Sequence, residues 1–134
     1  MFKDTKAFSG FSVDDLAKAK EFYTDILGLK VDDEGMGLGI QLPGGVRVFA
    51  YPKQDHQPAT FTILNFEVEN IEEAVDDLTN RGVHFEHYEA GAGPKTDEKG
   101  IFRGSKQKMG PDIAWFKDPA GNILSVIEVA NQVS

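Results

Sequence analysis

The sequence contains no cysteine and no long apolar segment. Without cysteine, neither a disulfide nor a thiolate metal site can form, which fits a reducing compartment. No stretch approaches the roughly 20 apolar residues of a membrane-spanning helix. The first ten residues, MFKDTKAFSG, lack the basic region and the apolar run of a signal peptide. We therefore expect a cytoplasmic protein with no membrane partner.

Positive charge is also scarce, because 14 lysines and arginines stand against 22 acidic residues and give a formal net charge of −8. A nucleic-acid partner would require a basic surface that neutralises phosphates, so we expect none.

At 134 residues the chain is most simply one domain that is large enough to form a hydrophobic core.

Two amphipathic helices are predicted, because apolar residues recur at spacings of three and four after Val13 and again after Val68. In the first helix these residues are Leu16, Ala19, Phe22, Tyr23, Ile26 and Leu27, and in the second they are Ile71, Ala74, Val75 and Leu78. The two stretches align without a gap, so the halves of the chain resemble copies of one unit.

The ends of both helices carry capping signals. Ser12 or Asp14 can cap the start of the first helix, and Gly28 can end it. Asn70 can cap the second, with a glutamate at capping-box spacing, and Gly82 can end it.

Short β-like segments, residues 5–11 and 60–68, precede the helices, and a hairpin ends each half. The first hairpin turns at PGG (43–45) and the second at DPAGN (118–122). Each half therefore reads as strand, helix and about three strands. We predict an α+β fold of two βαβββ modules, residues 5–51 and 59–130, joined by a polar linker at 52–58.

The repeated unit, with DLAKAKEFYTDILGLKV near the start and DPAGNILSVIE near the end, resembles the vicinal oxygen chelate superfamily. This group includes glyoxalase I, extradiol dioxygenases and bleomycin-resistance proteins, and the resemblance covers about residues 6–128. It implies curved mixed sheets whose concave faces form a small-molecule cavity, often in a homodimer. In many members His, Glu or Gln side chains hold a divalent metal there.

The resemblance places the four metal-ligand positions at Phe8, Val48, Ile63 and Ser125. None of these side chains suits a catalytic divalent metal, and the immediate neighbours in sequence provide no His, Asp or Glu. Glu128 lies on the last strand, but strand alternation turns it away from the side of Ser125. We therefore expect no metal and no cofactor.

Several side chains are candidates for binding a small molecule. Tyr51 and Trp115 are aromatic residues on predicted strands, and Asn65 and Ser125 are polar residues expected near the same cavity. The complete set of candidates is Phe8, Val48, Tyr51, Ile63, Asn65, Arg103, Trp115 and Ser125.

Two further segments can be interpreted either as functional sites or as ordinary solvent-exposed surface. The stretch 91–110 has an excess of lysine and arginine, so it is either a flexible flap in which Arg103 holds an anion or a solvated loop. HFEHYE (84–89) holds two histidines, but alternation divides them between the two faces of a strand, which favours an exposed edge strand. His56 is expected to be a solvated linker residue.

The leading functional hypothesis is a metal-independent protein that binds a small molecule, without catalysis. The alternative is a metal-dependent lyase, isomerase or dioxygenase of the lactoylglutathione-lyase or extradiol type, whose ligands have moved to His56, His84, His87 or Glu128. A third possibility is a structural module whose cavity is filled by its own side chains. The acidic surface favours a cationic ligand and the basic loop an anionic one, so the charge of the ligand stays open.

Overall fold

The structure is a computed structural model that describes residues 1–89, 91 and 94–129. The chain divides into two compact units, Met1–Pro58 and the part from Ala59 onwards. The predicted end of the second module, residue 130, lies outside the described residues. No helix in the described ranges has the length and apolarity needed to cross a membrane.

The first unit contains one helix and a four-stranded mixed sheet. Its elements are β1 (Ser9–Val13), α1 (Leu16–Glu21), a π-helical turn (Phe22–Ile26), β2 (Lys30–Asp33), β3 (Leu38–Leu42) and β4 (Val46–Pro52). The strand order is β1-β4-β3-β2, with β1 parallel to β4 and the other pairs antiparallel.

The second unit repeats this arrangement. Its elements are β5 (Thr62–Val68), α2 (Ile71–Asn80), β6 (Ile101–Phe102), a 3-10 turn (Ser105–Gln107), β7 (Ile113–Lys117) and β8 (Ile123–Glu128). The strand order is β5-β8-β7-β6, with β5 parallel to β8. The predicted α+β class and the βαβββ pattern of the units are therefore confirmed.

Each unit has its own core between the helix and one face of its sheet. In the first, Phe11 on β1 packs its ring 5.8 Å from that of Tyr23, which is fully buried. In the second, α2 buries Ile71 and Val75, while Phe116 and Leu124 on the sheet are also fully buried. Because side chains alternate along a strand, the residues between these face away from the helix. Those opposite faces hold most of the functional candidates.

The predicted helix caps are right for α2 and wrong for α1. Asn70 accepts a hydrogen bond from the backbone of Glu73 at 3.1 Å, as expected. For α1 the cap is Asp15, whose side chain accepts from Lys18 N, rather than Ser12 or Asp14. Gly28 follows the end of the first helical segment with φ +70°, a left-handed conformation that glycine adopts readily. The first strand also differs, because β1 begins at Ser9 and not at residue 5.

The basic segment 91–110 has more structure than a flexible flap would. It contains β6, which pairs with β7, and a 3-10 turn. Asp97 accepts hydrogen bonds from the backbone of Lys99 and Ile101, both at 2.9 Å, and so fixes the turn before β6. Residues 92 and 93 of the predicted flap lie outside the described residues.

Candidate functional site

One row of side chains crosses the open face of the second sheet. Trp115 on β7 pairs directly with Ser125 on β8, which pairs in turn with Asn65 on β5. Directly paired residues point to the same side of a sheet. The register therefore brings together three of the predicted candidates on the face opposite α2.

A cavity of about 300 Å³ opens beside this row. Its described lining is Thr60, Phe61, Thr62, Tyr88, Pro94, Trp115 and Ile123. Trp115 meets Tyr88 edge to face, with ring centroids 5.8 Å apart, and lies 6.4 Å from the ring of Phe102. Phe61 is 68% exposed, a large apolar surface at the rim of the cavity. Aromatic walls of this kind suit a flat or apolar ligand.

Backbone hydrogen bonds hold Tyr88 in position. Glu86 N donates to Trp115 O at 2.8 Å, which ties the segment before Tyr88 to the edge of β7. Tyr88 N donates to Thr96 Oγ1, and Thr96 N donates back to Tyr88 O at 3.0 Å. Burial, and then the negative charge of Glu86, raise the pKa of the Tyr88 phenol, so the group stays neutral at pH 7.

The polar part of the row is a hydrogen-bonded pair of neutral groups. Ser125 is fully buried, and its hydroxyl donates to Asn65 Oδ1 at 2.6 Å. Asn65 itself is exposed. The amide therefore presents its Nδ2 group to the open face, beside the aromatic cavity.

The predicted metal-ligand positions do not form a metal site. In the described residues no three His, Cys, Asp or Glu side chains converge on a point. Ser125 faces Asn65 instead of a second ligand, and Ile63 lies at a register irregularity between Thr62 and Leu64. Val48 is buried and paired with the buried Ile40, and although it borders a cavity of about 640 Å³ with Phe8 and Arg47, its apolar side chain supplies no ligand atom. The residues present do not fit the divalent metal that the fold implies.

The remaining aromatic candidates lie on the open face of the first sheet. The ring of Phe8 meets that of Phe49 at 6.4 Å, and Phe49 stacks on Tyr51 at 6.2 Å. The guanidinium of Arg47 lies 4.6 Å above the ring of Phe8 and forms a two-point ion pair with Glu34. This aromatic strip is a second apolar surface, and its ion pair was not predicted from the sequence.

Arg103 does not face the cavity. Its Nε donates to Asp97 at 3.1 Å, its Nη2 to Glu72 on α2, and its Nη1 lies 3.5 Å from Asp112. Three carboxylates thus surround the guanidinium, which leaves the predicted anion-binding role without support. Lys99 of the same segment is paired with Asp76. Two of the five basic residues of the segment, Lys99 and Arg103, are thus paired with acidic groups on α2, which spacing alone could not reveal.

Three of the four residues proposed as relocated metal ligands have other partners. Glu128 accepts a hydrogen bond from Ile71 N at the start of α2, on the side of β8 away from Ser125, as alternation predicts. His87 Nε2 lies 3.1 Å from the carbonyl of Glu98, and His84 is exposed. His56 is not a solvated linker residue, because its Nδ1 lies 2.7 Å from the hydroxyl of Ser12 on β1. Nothing in the local sequence signals this long-range pair.

Comparison with known proteins identifies a family that matches most of the chain. The model of the Glyoxalase/Bleomycin resistance protein/Dioxygenase superfamily matches residues 8–126. A comparison with curated proteins gave no match.

Solved structures with the same fold cover nearly all of the chain. A glyoxalase family protein from Enterococcus faecalis has 22% identity and a TM-score of 0.66, over 96% of this chain and 100% of its own. TnmS3, an antibiotic binding protein from Streptomyces sp. CB03234, has 20% identity and a TM-score of 0.61, over 95% and 98%. A glyoxalase/dioxygenase from Nostoc punctiforme has 16% identity and a TM-score of 0.65, over 97% and 94%.

Proposed function

The chain belongs to the Glyoxalase/Bleomycin resistance protein/Dioxygenase superfamily, and from this premise we propose that it is a small-molecule-binding protein whose ligand lies in the cavity of the second unit. The observation that carries the proposal is the aromatic cavity built on Trp115 and Tyr88. TnmS3, which has the same fold, is an antibiotic binding protein, so binding without a stated reaction is one function that this fold hosts.

The cavity is suited to a compact apolar ligand. Its volume of about 300 Å³ is at the lower end of the roughly 300–1,000 Å³ range of ligand pockets. None of its described lining residues is charged. An aromatic ring placed against Trp115 and Tyr88 would bury apolar surface on both sides, which stabilises a complex by roughly 25 cal/mol per Å² before the costs of association.

The charge of the ligand follows from the uncharged described lining and from two basic residues outside it that are already paired. The arginine expected to favour an anion is held by three carboxylates. Lys117, on the same face as the cavity, is paired with Glu86 at 3.4 Å. We therefore propose a neutral ligand, in place of the cationic and anionic ligands that the sequence left open.

The alternative of a metal-dependent lyase, isomerase or dioxygenase is supported by the name of the superfamily but not by the side chains of the described residues. It requires at least three convergent ligands, and the described residues offer no such group. The third possibility, a module whose cavity is filled by its own side chains, predicts no pocket large enough for a ligand, whereas a cavity of about 300 Å³ lies beside Trp115. The homodimer and the cytoplasmic location stay predictions, and sedimentation velocity would test the first.

Binding can be tested with N-phenyl-1-naphthylamine, a neutral aromatic probe whose emission rises in apolar surroundings. We expect saturable binding to one site per chain. Trp115→Leu should weaken it at least tenfold, because the main aromatic wall is lost. Phe8→Leu is the matched control, since it removes an exposed aromatic side chain from the first unit and should leave the affinity unchanged.

Two results would contradict the proposal. One is the absence of saturable binding to the folded wild-type protein. The other is an affinity that Trp115→Leu leaves unchanged while Phe8→Leu lowers it, which would move the site to the aromatic strip of the first sheet.

A further inference from the structure

We propose that the Asn65 amide recognises a hydrogen-bond acceptor on the ligand, so that the protein selects neutral aromatic ketones and amides over hydrocarbons of the same shape. This inference rests on the proposed function, because it assigns a ligand class to the same site. It makes Asn65 a specificity-determining residue and Ser125 a positioning residue.

The polarity of the Asn65–Ser125 hydrogen bond sets the orientation of the amide. The separation of 2.6 Å between Ser125 Oγ and Asn65 Oδ1 is typical of an O–H···O bond, whereas N–H···O bonds are mostly near 2.9 Å. With Oδ1 occupied by the buried serine, Nδ2 points away from it. In the described part of the chain, Nδ2 has no hydrogen-bond partner, so both of its N–H groups can serve a ligand.

One small molecule is long enough to reach from Trp115 to Asn65 along the row. Neighbouring strands lie about 4.8 Å apart, so Asn65 and Trp115, two strands apart, are separated by roughly 10 Å. A ligand ring against Trp115 would therefore carry its acceptor on the side towards β5. Thr62, which lines the cavity on the same strand as Asn65, shows that the open space reaches β5.

The charges on this face favour a neutral acceptor over a carboxylate. Glu67 lies two residues beyond Asn65 on the same strand, so it points to the same side, and it is exposed. Its negative charge repels an anionic group placed at the amide. Lys117, a cation on the same face, is paired with Glu86. A carbonyl oxygen accepts the amide hydrogens without this repulsion.

Two probes that differ only in the acceptor oxygen measure how much that oxygen contributes to the affinity. The first probe is 2-acetylnaphthalene, and the second is 2-isopropenylnaphthalene, in which a methylene group replaces the carbonyl oxygen. Affinities for the wild-type protein, Asn65→Leu and Ser125→Ala would be measured by NMR titration. The single tryptophan provides one indole N–H signal at the cavity. The quantity of interest is the ratio of the two dissociation constants in each variant.

We expect Asn65→Leu to lower the preference for the ketone about tenfold while leaving the affinity for the alkene within a factor of about two. Ser125→Ala should lower the preference by a smaller factor, because the amide remains but its orientation is no longer fixed. A general loss of structure would weaken both probes equally and leave the ratio unchanged. Thermal unfolding of each variant confirms that the protein compared is folded.

The outcomes separate this inference from the proposed function. If both probes bind at Trp115 and Asn65→Leu does not change the ratio, the inference is wrong and the binding function stands. If neither these probes nor the naphthylamine probe bind the folded protein, the proposed function fails. A preference for the ketone that disappears in Asn65→Leu supports both.

Discussion

Arg103 provides the sharpest test of the reasoning about the basic segment, because the structure makes it a structural residue. Its guanidinium contacts Asp97, Asp112 and Glu72, which join the segment to β7 and α2. Replacing it with alanine removes the cation and leaves three carboxylates close together. We expect a clear loss of stability in Arg103→Ala and no specific loss of ligand binding.

The magnitude follows from the exposure of each partner. The Glu72 side chain is 54% exposed, so its ion pair with Arg103 contributes between 0 and about 1 kcal/mol. The side chains of Asp97 and Asp112 are only 23% and 7% exposed. The hydrogen bond that Arg103 donates to the shielded Asp97 contributes roughly 1.5–3 kcal/mol. The free energy of unfolding should therefore fall by about 2–4 kcal/mol.

The effect should also depend on pH. Burial would raise the pKa of Asp97 and of Asp112, but hydrogen bonds outweigh burial and hold both values below normal. For Asp97 they come from the backbone of Ile101 and Lys99 and from Arg103, and for Asp112 from Ser105 and Arg103. A carboxyl whose pKa is lower in the folded than in the unfolded protein stabilises the fold at pH values above its unfolded pKa, which is about 3.9 for Asp. This contribution is lost as the pH falls through the lower pKa of the folded protein. The difference between wild type and Arg103→Ala should therefore be largest at neutral pH and shrink below about pH 4.

Urea denaturation followed by Trp115 fluorescence measures this loss in the second unit, where the only tryptophan lies. Lys106→Ala is the control, because it removes the same charge from the same segment at an exposed residue that forms no ion pair with the described residues. Its effect should stay within about 0.5 kcal/mol. A free energy of unfolding for Arg103→Ala that equals that of Lys106→Ala would refute the structural role.

Three further substitutions test the fold of the second unit by the same urea assay. Asp118→Ala should cost about 2–3 kcal/mol, because it leaves the buried turn amides of Ala120 and Asn122 without their acceptor; an effect below 1 kcal/mol would contradict this. Asn70→Ala should cost about 1 kcal/mol through the lost cap of α2, and Asn70→Ser should restore most of it. Phe116→Ala should cost about 3–5 kcal/mol, because the ring is fully buried, whereas the same change at the exposed Phe61 should be nearly neutral for stability.

Local signals in the sequence predicted the order of the helices and strands and most of the turns between them. The glycine at 82 ends α2 with φ +96°, and the glycines at 44 and 45 turn the first hairpin with φ +85° and +76°. Such positions depend on neighbours a few residues away, which the sequence displays directly. The cap of α1 was missed by one residue because Ser12, Asp14 and Asp15 are all capping types, and only the path of the chain after β1 selects Asp15.

Contacts between residues distant in sequence were harder to predict. The register of β8 against β5 and β7 brings Ser125 between Trp115 and Asn65, and the sequence suggested the three residues without their order. The burial of Val48 depends on where β4 begins, and an error of one residue reverses the face. The partners of Arg103 lie 6 to 31 residues away, so the sequence showed its charge and not its neutralisation.

The central claim is that the cavity beside Trp115 binds a neutral aromatic molecule, and NMR shift mapping with 2-acetylnaphthalene tests it most directly. The account predicts saturable shifts of the Trp115 indole N–H and of the backbone signals of Thr62, Tyr88 and Ile123, with little change at Phe8 and Tyr51. Saturable shifts confined to the first unit, or no shift at the Trp115 indole at saturating probe, would contradict it.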